Sequence, residues 1–99
     1  MNENDDYLLF PLGEVTISPR ARDLTSEDER NGFLRRHQIG DWKQTDPETR
    51  AENTMAMLFD GLIRTVHEAA WVTLWITTSE ERRYTYVGLA GEVAKNREA

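Results

Sequence analysis

Three runs of β-branched and aromatic residues crowd the last third of the chain: Leu62 to His67, Trp71 to Thr78 and Arg83 to Leu89. Only His67-Glu68-Ala69-Ala70 and Ser79 to Glu81 connect them. Connections this short predict a three-stranded antiparallel meander. Side chains alternate between the two faces of such a sheet. With Thr78 opposite Arg83, Trp75 faces Tyr86 and Leu74 faces Val87. Val72, Leu74, Ile76, Val87 and Leu89 then share one face, and Trp71, Trp75, Tyr84 and Tyr86 the other. The aliphatic face is expected to pack on helices. The aromatic face is expected to be covered, by the N-terminal segment or a second copy, or else to be open to a partner.

Helix signals precede the meander. Ser18-Pro19 pairs an N-cap serine with a proline at the first helical position, and a short helical turn through Asp23 or Leu24 should follow. Ser26-Glu27-Asp28-Glu29 is a capping box, with its acids at the positive end of the helix dipole. That helix should run to about Gln38, bury Phe33, Leu34 and His37, and stop at Gly40. Asp46-Pro47-Glu48 starts a third helix. Ala51, Thr54, Met55, Leu58 and Phe59 give it an amphipathic spacing, and Gly61 is placed to end it. Upstream, Tyr7 to Ile17 is apolar and β-rich. Pro11 cannot donate to a ladder, so this is an edge strand or begins after Pro11. The expected class is α+β: an N-terminal strand and two to three short helices, then the meander. Residues 1–6 read as an acidic tail, 7–92 as a single domain and 93–99 as a charged C-terminal tail.

With 99 residues the chain fits one domain. Such a domain buries roughly two-thirds of its unfolded surface, enough for a core but not also for a deep substrate cavity. The absence of cysteine removes disulfides, thiolate nucleophiles and cysteine-based metal sites. It suits a reducing cytoplasm. The acidic start does not read as a secretory signal, and no apolar stretch approaches a membrane span. A net charge of −6 disfavours direct nucleic-acid binding and suits a basic protein partner. Arg20-Ala21-Arg22, Arg35-Arg36 and Arg82-Arg83 read as solvated surface charge.

Chemistry is hard to find. His37 and His67 lack metal-ligand spacing, and there is no nucleophile elbow or glycine-rich phosphate loop. Neither cofactor nor metal is expected. The stretch His37-Gln38-Ile39-Gly40-Asp41-Trp42 supports two readings. In one, Asp41 orients His37 as a general base. In the other, His37 bonds a helix-end carbonyl, Asp41 makes a turn and Trp42 plugs the core.

The motifs Phe10-x-Leu12-Gly13-x-Val15, Ser18-Pro19-x-Ala21, His37-Gln38-x-Gly40-Asp41-Trp42 and Asp46-Pro47-Glu48 recur together in a family of small phage- and plasmid-borne proteins, which the chain resembles. Trp75-Ile76-Thr77-Thr78 followed by Arg83 resembles that family's final hairpin. The family has no established activity, so the resemblance implies a fold and a mobile-element setting in a bacterial host, and no catalytic residues. The turn His67-Glu68-Ala69-Ala70 departs from the family's Pro-, Asp- and Gly-rich one.

Three functions follow as expectations. The first is an acidic, non-enzymatic inhibitor of a host defence or nucleic-acid-processing protein, of the anti-CRISPR or anti-restriction kind. Asp23, Glu27, Asp28, Glu29, Glu48 and Glu52 would imitate phosphates, and Trp71, Trp75, Tyr84 and Tyr86 would anchor. The second is a small enzyme or accessory subunit using His37 and Asp41. The third is a homo-oligomer joined through the aromatic face.

Overall fold

The computed structural model describes residues 8–92. The elements are β1 (Glu14–Ile17), α1 (Pro19–Leu24), α2 (Glu27–Ile39), α3 (Pro47–Phe59), β2 (Ile63–Glu68), β3 (Thr73–Thr78) and β4 (Tyr84–Leu89). The α+β class holds, with four strands in the sheet rather than three. The meander forms as expected, and β1 joins it at one edge to give the order β1-β4-β3-β2. β1 runs parallel to β4, with Val15 beside Thr85 and Ile17 beside Val87. The strand begins after Pro11 and is an edge strand, as the proline required. The expected tails at 1–6 and 93–99 lie outside the described residues.

Each helix starts on the cap its sequence announces. Ser18 accepts from the Ala21 N–H, Asp46 accepts from the Thr49 N–H, and Ser26 and Glu29 complete a capping box. Gly40, in the left-handed region at φ 85°, ends α2. At α3 the stop falls one residue earlier than expected: Asp60, not Gly61, takes the left-handed position at φ 60°.

All three helices lie on one face of the sheet. Ala21 of α1 and Leu34 of α2 pack with Leu74, Ile76 and Val87, while Leu12, Ile17, Phe33, Val72 and Leu89 close the margins. Ala56 of α3 meets Ile63, Phe10 and Trp42 in a second cluster. Fully buried aliphatic side chains of this size contribute about 1.5–3 kcal/mol each relative to exposure. The expected aliphatic face is therefore the core face.

Three details depart from expectation. Thr78 pairs with Thr85, not Arg83, so Leu74 faces Leu89 and Ile76 faces Val87. The register is shifted by two residues because the connection is longer. It spans Ser79 to Arg83, with Arg82 at φ 59° and the Ser79 hydroxyl accepting from the Arg83 and Tyr84 N–H groups. A shift of two keeps every side chain on its expected face, since the pleat has period two.

Arg82 is also no solvated surface charge. Its guanidinium donates to the carbonyls of Gly61, Ser79, Glu80 and Ala56 and lies over the Phe10 ring. A cation at the negative end of α3 is favourably placed.

The third departure concerns α3, whose amphipathic face points away from the core. Met55, Leu58 and Phe59 are 53%, 69% and 73% exposed. Asn53 and Ala56 face inward instead. Asn53 takes the core side because its amide both donates to the Arg64 carbonyl and accepts from the Arg64 N–H. Thr45 and Gln44 likewise accept from the N–H groups of Val66 and Glu68. Side chains thus satisfy the outer edge of β2 and close it to further strand pairing.

Candidate functional site

The His37-to-Trp42 stretch straddles the end of α2. His37 and His67 are both fully buried, and His37 bridges two strands. Its Nδ1 lies 2.6 Å from the Thr65 Oγ1 and its Nε2 2.8 Å from the Thr78 Oγ1. Thr65 also meets the His67 Nε2 at 2.8 Å, and Thr78 meets Thr85 at 2.7 Å. The Thr85 hydroxyl donates to the Leu12 carbonyl.

Counting donors orients the whole chain of bonds. A carbonyl only accepts, so the single Thr85 proton is committed to Leu12. Thr78 must then donate to Thr85 and accept from an Nε2–H of His37. The neutral imidazole leaves Nδ1 bare, so Thr65 donates to it and accepts from an Nε2–H of His67. The His67 Nδ1 ends the series as a buried acceptor with no hydrogen-bond partner among the described residues.

Neutral rings suit this environment. Burial, then the charges of His67 and Arg82, pushes His37 down to about 3. Burial and Arg36 push His67 down to about 4, against an upward pull from Asp41. Phe33 stacks on His67, and Phe10 meets His37 edge-on.

The expected His37–Asp41 pair does not form. Both His37 nitrogens are engaged by threonines, and the Asp41 carboxylate lies 3.3 Å from the Arg36 Nε. Nor does His37 bond a helix-end carbonyl. The reverse contact occurs, with the Trp42 indole donating to the His37 carbonyl while Trp42 plugs the second core cluster. Among the described residues no group of three or more acidic or histidine side chains is arranged to hold a metal.

Three of the four aromatic residues, Trp75, Tyr84 and Tyr86, share the sheet face opposite the helices. β1 extends the sheet at its edge, Leu9 and Phe10 bond along α2 through Gln38, and Ser18 and Glu92 reach the Tyr86 end of this face. Trp75, Tyr84 and Tyr86 are half-buried there. The Arg64 guanidinium sits 4.9 Å above the Trp75 ring. Gly88 stands opposite Trp75, and a Cβ at Gly88 would lie 2.8 Å from the Tyr86 ring, so the missing side chain makes room for that ring. Burial and the Glu92 carboxylate hold the Tyr86 phenol above its ordinary value. Trp71 is 83% exposed in the β2–β3 turn, so it stands apart from the other three.

The acids lie elsewhere. Asp23, Glu27 and Asp28 are exposed at the α1–α2 junction, and Glu48 and Glu52 on α3. Glu29 is tied into the capping box. The expected acidic and aromatic sets therefore occupy opposite layers and do not form one surface. Sequence reasoning missed Thr65, Thr78, Thr85, Asn53, Arg64 and Arg82. Thr65 carried a signal, since it sits at an inward position between Ile63 and His67, whereas Thr78 and Thr85 each have a charged residue on one side, Glu80 and Arg83.

Comparison with family models, curated proteins and solved structures returns no match. Function therefore rests on these surfaces. No helix among the described residues is long and apolar enough to cross a membrane.

Proposed function

We propose that the chain is a non-enzymatic protein-binding module. In this reading a mobile genetic element directs it at a basic nucleic-acid-processing protein in the cytoplasm of a bacterial host, as an anti-CRISPR or anti-restriction inhibitor would act. The observation that carries the reading is the sheet face opposite the helices, which presents Trp75, Tyr84 and Tyr86 with Arg64 laid over Trp75. Trp, Tyr and Arg dominate the energetic centres of protein interfaces. The strands that carry them are already paired, so little backbone freedom is lost on binding.

The acids have a different part from the one their abundance suggested. Being on the helical layer, they do not border the aromatic cluster, and a partner seated on the sheet would not touch them. A net charge of −6 still raises the encounter rate with a basic partner over distances of about a Debye length.

The test is a capture experiment in a bacterial host, with the intact protein and a Trp75→Ala, Tyr86→Ala variant as baits. The expected result is one nucleic-acid-processing protein held by the intact bait and lost from the variant. Raising salt should slow its association more than it speeds its release. Identical captures by both baits would remove the sheet face from the reading.

A further inference from the structure

The apolar stripe of α3 lies on a different surface and has no use in that proposal. We infer that it is the contact between two copies of this chain, packed antiparallel about a two-fold axis at Met55. Ala51, Met55, Leu58 and Phe59 recur at helical spacing on the outer face, with Leu62 just beyond the helix end. All five are exposed, which makes an apolar patch of the kind that marks association sites.

The pattern is complementary to itself. Residues seven apart return to within about 20° of the same helical position. Ala51 and Leu58 therefore share one side of Met55, and Glu52 and Phe59 share the other. Two-fold antiparallel packing at Met55 sets Leu58 of each copy over the small Ala51 of the other. It also lays each Phe59 ring along the aliphatic stem of the other copy's Glu52, whose carboxylate stays at the rim.

Charge selects the orientation. Glu48 and Glu52 fall in the N-terminal half of α3 on the Met55 side, Arg50 in that half lies about 140° round the helix from Met55, and Asn53 to Phe59 carries no charge. Antiparallel packing places acids against that uncharged half and opposes the two helix dipoles. Parallel packing would set Glu48 on Glu48 and Glu52 on Glu52. Closed two-fold dimers are also the commonest soluble assemblies. The homodimer expected from sequence thus moves from the aromatic sheet face to α3.

The lack of cysteine allows a direct test. Sedimentation across a wide concentration range should show the mass doubling for the native chain. It should stay that of one chain for a Leu58→Asp, Phe59→Asp variant that keeps the native circular dichroism and a cooperative melt, and whose melting point no longer rises with concentration. A Met55→Cys variant should cross-link to itself with a short bis-maleimide. A Glu48→Cys variant should not, because its two copies would lie about 20 Å apart. A native monomer at every concentration, or a dimer that survives the double substitution, would overturn the α3 interface. Cross-linking through Glu48→Cys in place of Met55→Cys would overturn the antiparallel arrangement. None of these outcomes depends on a partner at the sheet face, which is tested by its own variant.

Discussion

The guanidinium of Arg82 donates to the carbonyl of Ala56 at 3.2 Å, tying the β3–β4 turn to the last turn of α3. The same side chain reaches Gly61, and its own backbone sits at φ 59°. Arg82→Ala removes charge-assisted bonds to carbonyls that water reaches poorly, at about 2–4 kcal/mol. Arg82→Lys, with one compact donor group in place of a fork, should recover only part of this. Urea unfolding of the two variants measures both.

The buried histidines make stability depend on pH in a defined direction. Folded His37 and His67 titrate at about 3 and about 4, against an ordinary value of 6.5. Above 6.5 neither state binds these protons, and the histidines impose no slope. Below it the unfolded chain takes up protons that the folded one refuses, so stability is lost as pH falls. Each histidine contributes up to about 1.4 kcal/mol per pH unit. Denaturant midpoints measured from pH 8 down to about 5 should show the decline. A His67→Gln variant should show roughly half that slope.

Asn53 supplies both a donor and an acceptor to the Arg64 backbone. Asn53→Ala leaves two backbone groups of an edge strand without partners, at about 2–3 kcal/mol. It also reopens part of the β2 edge. Light scattering on warming should therefore show earlier aggregation than an equally destabilising substitution in the α2 core, such as Leu34→Ala.

Gly13 sits at φ +67°, and a Cβ there would fall 2.2 Å from the Arg83 carbonyl oxygen. Gly13→Ala must displace the start of β1 from β4, costing about 2 kcal/mol or more. The loss should appear as faster amide exchange at Thr16 and Ser18, with β2–β3 protection kept.

Much of the architecture was legible because it rests on local signals. The three helix starts are N-cap and proline chemistry, read within four residues. The meander follows from short connections, and its faces follow from the period of the pleat, which even the two-residue register error left intact. Other features came from contacts between distant segments. Nothing near Arg82 announces that it will cap α3, because the helix end it reaches is over twenty residues away. His37 and Asp41 look like a pair because they are close in sequence. Threonines on β2 and β3, 28 and 41 residues downstream, instead take both ring nitrogens.

The amino-acid sequence by itself determined the α+β class, the helix boundaries, the sheet faces and an acidic chain without thiol chemistry. Spacing, caps and composition act over a few residues or over the whole chain, and both scales can be read along one dimension. Tertiary structure alone decided which side of α3 is buried. Periodicity marks Met55, Leu58 and Phe59 as one face but does not say what that face meets. The hydrogen bonds between Asn53 and the β2 edge turned it outward.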